Sequence, residues 1–327
     1  MRWTLLIMAC VLVGTNPAHA EEKLKPSLDK IPEVEALASL TTARPLVEKS
    51  KKHRQHPIVL LHGMAGFVTW GPFEYFDGIP KALRSAGHEV FLCEVSGYQP
   101  IPVRAVECAE QIDIFLEQSD HQRVHLIAHS HGGLDGRYMI SKLGYGDRIA
   151  SLTTLTTPHR GSMLIDASAA LMPDALERFL TGGMDTLVGY TRDQASNLFG
   201  QLEMLSAAYM REEFNPANPN DPRVKYYSIG ARTQLSPFVN WKTTDILTPT
   251  LWPTYIGIYL LEGDNDGMVP LSSSKWGTYL GTLEADHLDQ IGVFKPYTSS
   301  TYEHTKFFTN LADFLVGKGP PPPQLRP

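Results

Sequence analysis

Cysteine is scarce in this 327-residue chain, which holds three. Cys10 stands in a leader-like stretch, so Cys93 and Cys108 alone are left to the folded part, enough for one disulfide but not for a disulfide-stapled scaffold. The residues leave open whether the two pair or stay as buried thiols. Excess positive charge is missing as well: 29 Lys and Arg against 35 Asp and Glu give a formal charge of -6. Such a chain has no electrostatic reason to bind nucleic acid. No internal repeat is present. Beyond the leader, no apolar run reaches membrane-spanning length, which argues against a transmembrane segment in the mature chain.

The first twenty residues carry Arg2, the apolar run Leu5 to Val13, and then Pro17-Ala18-His19-Ala20 before Glu21-Glu22. Small residues two apart after a short apolar core read as a cleaved secretory signal over 1–20, predicting a secreted product. With 43% hydrophobic and 20% charged residues, the remainder has globular composition. Its length suits one large α/β domain or two modest ones.

A polar lead-in spans 21–56 and includes the solvated basic run Lys49 to Arg54. Ile58-Val59-Leu60-Leu61 then reads as a strand buried on both faces of a parallel sheet. The pattern predicts a helix over Phe73 to Ala86, a strand over His88 to Cys93, and a helix over Val103 to Leu116. Arg123 to Ala128 reads as a strand, Gly132 to Leu143 as a helix, and Ile149 to Leu155 as a strand. Strands alternating with helices mean a mostly parallel, doubly wound sheet, with function beyond the carboxyl ends of its strands. The segment 163–214 is rich in Leu and Met and poor in charge, which suits either helices packed over the core or a movable helical cap with an apolar inner face. Val224 to Ile229 is strand-like, Thr305 to Val316 predicts a closing helix, and 317–327 reads as a frayed, proline-rich tail.

Chemistry concentrates at Ala128-His129-Ser130-His131-Gly132-Gly133. An apolar run ends at a serine with small residues on both sides, the pattern of a nucleophile elbow, although Ala128 stands where the general motif has Gly. A serine hydroxyl needs a base, and the base needs an anion to hold its tautomer. Asp266, in the turn Asn265-Asp266-Gly267 after the apolar run Tyr259-Leu260-Leu261, and His287 follow Ser130 in the order this chemistry takes on such a fold. Asp264 is the rival acid; His304 and His159 are rival bases, with His304 expected as an exposed capping residue of the closing helix. The oxyanion needs two backbone donors, for which the N–H groups of Met64 and His131 are suitably placed.

These residues resemble the secreted bacterial triacylglycerol lipases of the Pseudomonas and Burkholderia type. The resemblance runs through Pro57 to Gly63, Ala128 to Gly133, Thr157 to Ser162, Asn265-Asp266-Gly267 and His287-Leu288-Asp289, covering roughly Pro57 to Phe294. It implies an α/β-hydrolase fold over 57–316, hydrolysis of medium- to long-chain glycerides at a lipid-water interface, and a helical lid within about 163–214. It also implies a structural Ca2+ held by Asp289 and Asp245, with no organic cofactor, and export through a folding helper in some relatives. The family's usual disulfide is missing, because no cysteine follows Cys108. A carboxylesterase for short soluble esters and an inactive binding module on the same fold are the alternatives.

Overall fold

The computed structural model describes residues 55–70, 73–171, 197–233, 251–293 and 302–327. The predicted signal, most of the polar lead-in, residues 172–196 of the expected lid, and Asp245 lie outside the described residues.

Strand β1 (Ile58–Leu61) is fully buried along its length. Its side chains alternate between the sheet faces: Val59 and Leu61 enter one core, Ile58 and Leu60 the other. A two-stranded antiparallel ribbon follows, β2 (Thr69–Trp70) with β3 (Phe73–Glu74). It occupies the start of the segment read as one helix from Phe73. The helix α1 (Ile79–Ser85) begins only after Gly78, whose φ of 64° breaks the run, and has Pro80 in its first turn. Then come β4 (Val90–Cys93), α2 (Ile101–Gln118), β5 (Val124–His129), α3 (Gly132–Ser141) and β6 (Ile149–Leu155). The disulfide Cys93–Cys108 joins the end of β4 to α2, with Cα atoms 5.4 Å apart.

After α4 (Met163–Leu171) and α5 (Leu198–Glu203) the chain re-enters the sheet as β7 (Lys225–Arg232). Helix α6 (Trp252–Glu262) follows, then β8 (Thr278–Glu284) and α7 (His304–Leu315). Among the described residues six strands form one sheet in the order β4-β1-β5-β6-β7-β8, parallel throughout. Residues of α2 and α3 cover one face, and those of α1 and α7 cover the other through Leu83, Phe307, Phe308 and Leu311. This is the doubly wound α/β architecture that the strand-helix alternation predicts.

The apolar run ahead of Asp266, residues 256–261, belongs to α6, with Pro253 in its first turn. One further expectation is corrected: the tail is not frayed. The Thr282 N–H donates to the Arg326 carbonyl (2.7 Å) and the Arg326 N–H to the Thr282 carbonyl (2.8 Å), while Leu325 packs on the core. Backbone pairing along β8 gives the last residues partners that composition does not reveal.

Candidate active site

The turn from β5 into α3 places Ser130 at φ 56°, a left-handed conformation unusual for a side chain with a Cβ. Its backbone N–H is anchored on the Leu155 carbonyl (2.8 Å), at the end of the neighbouring strand. Close packing explains the small residues around it. A Cβ at Gly133 would collide with the Thr157 side chain and lie 2.8 Å from Thr154 Cγ2; one at Gly63 would lie 2.8 Å from Ser130 Cβ. Ala128 is fully buried in the core shared with α3, so the fold accommodates the extra methyl there.

Ser130 Oγ lies 3.0 Å from His287 Nε2, and His287 Nδ1 lies 2.7 Å from Asp266 Oδ2. An ionised carboxylate only accepts, so Nδ1 carries the proton and Nε2 presents a lone pair to the serine hydroxyl. Asp266 is fully buried, and its Oδ1 accepts from the N–H groups of Met268 (3.0 Å) and Val269 (2.8 Å). Gln290 Nε2 donates to Oδ2 over 2.9 Å. The His287 N–H donates to the Asp266 carbonyl (2.9 Å), so the two loops are tied by main chain as well as by side chain.

The rival residues stand elsewhere. Asp264 is half exposed and pairs with Arg232 at 3.2 Å. His159 is buried, hydrogen-bonded to Thr154 Oγ1 (3.0 Å) and stacked on Trp276. His304 is buried too, contrary to its expected exposure, and its Nε2 donates to the Asp77 carbonyl (2.8 Å).

His131 occupies the position before α3, and Met64 follows Gly63 in the loop after β1. Among the described residues neither backbone N–H is spent on a carbonyl. A buried ion pair binds the two loops together. Arg104 Nε donates to Asp135 Oδ2 on α3 (2.9 Å), its Nη2 donates to the His62 carbonyl (2.8 Å), and its Nη1 to the Ser96 carbonyl. His62 is neutral: burial, then the nearby Arg104 charge, pushes its pKa down to about 3. Its Nδ1 donates to the Gly63 carbonyl (3.0 Å), and its Nε2 accepts from the Val95 N–H (3.3 Å).

Apolar side chains gather beside the elbow. Leu134, Met204, Leu205, Met210 and Phe214 form a buried cluster on which Met64 and Ile165 pack. Both described ends of the expected lid therefore border the Met64 loop. Of the predicted metal ligands, Asp289 is fully buried two residues beyond His287. Among the described residues no group of three or more His, Cys, Asp or Glu side chains is placed to hold an ion.

Reading the sequence missed Arg104, Asp135, Tyr75, Thr156 and Gln290. An arginine within the apolar stretch of α2 was a usable signal, since a buried charge demands a partner. The other four carry none until the loops are brought together.

A parallel sheet with the elbow after β5 and the acid and histidine on later loops defines an α/β hydrolase. The family model for the alpha/beta hydrolase fold matches residues 56–276, and the chain belongs to that family. Its sequence is similar to those of triacylglycerol lipases. A triacylglycerol lipase of Vibrio cholerae is 27% identical over 264 residues, covering 77% of this chain and 84% of that protein. Triacylglycerol lipase 2 of Saccharomyces cerevisiae is 36% identical over 225 residues, covering 67% of this chain; the chain spans 62% of that protein's length. In fold it is similar to the crystal structure of Staphylococcus hyicus lipase, with TM-score 0.57 and 20% identity over 84% of this chain and 98% of that one.

Proposed function

We propose that this chain is a secreted triacylglycerol lipase of the Pseudomonas and Burkholderia type, with Ser130 as nucleophile, His287 as general base and acid, and Asp266 as its anion. The observation that carries this reading is the continuous hydrogen-bonded line from Ser130 Oγ through His287 to Asp266. Nε2 takes the serine proton as Oγ attacks the ester carbonyl, and the resulting oxyanion accepts from the Met64 and His131 N–H groups. His287 returns the proton to the departing alcohol. Water then repeats the sequence on the acyl-enzyme, releasing fatty acid and free serine.

The apolar cluster of Leu134, Met204 and Leu205 beside the Met64 loop suits a long acyl chain. Burial contributes about 0.8 kcal/mol per methylene, so an acyl chain covered by such apolar side chains gains with its length. We also propose a structural Ca2+ held by Asp289 with Asp245, because a fully buried carboxylate is the hard oxygen donor this ion takes.

Two measurements test the reading. A serine-directed phosphonate should label Ser130 alone; labelling elsewhere on folded, active protein rejects the nucleophile. Hydrolysis rates from acetyl to oleoyl glycerides, below and above each solubility limit, should peak at medium to long chains and rise as droplets form. A maximum at acetyl or butyryl without response to emulsion would make the chain a carboxylesterase.

A further inference from the structure

Two polar side chains behind the acid take no part in these steps. Gln290, fully buried, sits in the short 3-10 helix Asp289–Ile291. Its Nε2 donates to Asp266 Oδ2, the oxygen that also accepts from His287 Nδ1. Its Oε1 accepts from Thr156 Oγ1 over 2.8 Å. Because the ionised carboxylate can only accept, the amide must turn its NH2 toward Asp266 and its oxygen toward Thr156. The threonine hydroxyl is thereby fixed as donor.

Thr156 lies immediately after β6 with φ 45°. A β-branched residue in that region is strained, and it persists only where its surroundings over-determine it. Here its N–H is held by the Ile229 carbonyl (2.8 Å) and its hydroxyl by Gln290. The end of one strand thus orients an amide, and the amide orients a carboxylate.

We propose that Gln290, aligned by Thr156, is a positioning residue that keeps Asp266 Oδ2 aimed at His287 through the proton transfers. The inference rests on the reading of Ser130, His287 and Asp266 as the catalytic triad. Without the amide, Oδ2 keeps His287 as its one donor among the described residues, and the Oδ1 bonds from the Met268 and Val269 N–H groups are left to hold the carboxylate against turning about its Cβ–Cγ bond.

The test uses the whole chain, a soluble p-nitrophenyl ester, and the variants Gln290→Met and Gln290→Glu. In Gln290→Met, kcat should fall about tenfold, the size of one hydrogen bond to a charged group, with KM unchanged. Gln290→Glu keeps the shape but sets a second carboxyl against Asp266 Oδ2, so kcat should fall further, and it reports even where the Met variant fails to fold. Thr156→Ser, which keeps the hydroxyl, should retain the native kcat, and Thr156→Val should follow Gln290→Met.

A purely structural glutamine would lower the melting temperature and leave kcat of the folded enzyme in place. Unchanged kcat in both Gln290 variants of an otherwise active enzyme would overturn this proposal alone. A native chain that hydrolyses no ester would take the triad reading down with it.

Discussion

The imidazole of His129 lies against that of His287, ring centroids 4.5 Å apart at an interplanar angle of 43°. His129 is the last residue of β5 and His287 stands on the loop after β8, so the contact joins the centre of the sheet to its edge. Burial, followed by the His287 charge, holds the His129 pKa well below its ordinary value. The neighbouring ring therefore stays neutral and does not compete for the proton that His287 carries. Its Nδ1 accepts from the Tyr75 hydroxyl (2.7 Å), and that hydroxyl in turn accepts from the Gly63 N–H (3.0 Å). One phenol links the ring behind His287 to the loop that presents Met64.

Tyr75→Phe should expose this link. The substitution keeps the ring packing and leaves the Gly63 N–H and His129 Nδ1 buried without partners. Stability should fall by about 1–3 kcal/mol, the cost of leaving a buried polar group unsatisfied. Because Gly63 precedes Met64, kcat should drop more than KM rises. Urea unfolding and steady-state kinetics on a soluble ester measure both, and a variant native in each would remove Tyr75 from the site.

The disulfide makes a second prediction. Cys93 and Cys108 are buried, and the bond closes a loop with a sequence separation of 15. Loop-closure entropy for that length is worth about 3 kcal/mol. Reductant should lower the melting temperature of the native chain and leave that of the Cys93→Ala, Cys108→Ala double variant unmoved. Identical curves with and without reductant in the native chain would mean the bond contributes nothing.

How far the sequence could be read depended on the range of the interaction. β1 and β6 are visible from apolar runs alone, and Ser130, Asp266 and His287 from their order and local turns. Residues 256–261 stayed an unassigned apolar run because a short one suits a strand or a helix; they form the helix α6, with Pro253 in its first turn. β8 escaped because Thr278 to Glu284 carries little hydrophobic signal; it is held by backbone pairing to β7. The same limit hid Gln290 and Thr156, which lie 134 positions apart and acquire a role only where their loops meet. The cysteines were undecided because spacing says nothing of how α2 packs on β4.

Calcium should appear as a linkage effect. If Asp289 is a ligand, the folded chain binds the ion and the unfolded chain does not, so excess Ca2+ raises the melting temperature and chelator lowers it. Asp289→Asn should abolish the difference. The folded variant remains informative without any assay of activity, since the readout is the shift in midpoint. Equal midpoints for the native chain in chelator and in calcium, with no metal found in the purified protein, would eliminate the site.

The last prediction concerns acid. Burial pushes His62 down to about 3 and, with help from the neighbouring His56 charge, His125 down to about 4; His129 and His159 are also lowered by burial. All four are neutral in the folded chain at pH 7, whereas in the unfolded chain they titrate near the ordinary histidine value of about 6.5. Above that value both states are unprotonated and these groups leave stability independent of pH. Below it the unfolded chain takes up protons that the folded chain refuses, so stability falls as pH drops. Each group contributes a slope of about 1.4 kcal/mol per pH unit until its folded pKa is reached. The loss from His125 should therefore level near pH 4 and that from His62 near pH 3. Urea midpoints should be flat from pH 8 to 7 and decline steeply between pH 6 and 4.5. Replacing His125, whose Nδ1 meets Ser151 Oγ at 2.8 Å, by Gln should reduce the slope while keeping a polar partner for that hydroxyl. A native chain whose urea midpoint is the same at pH 7 and pH 4.5 would show that these histidines are not held neutral by the fold.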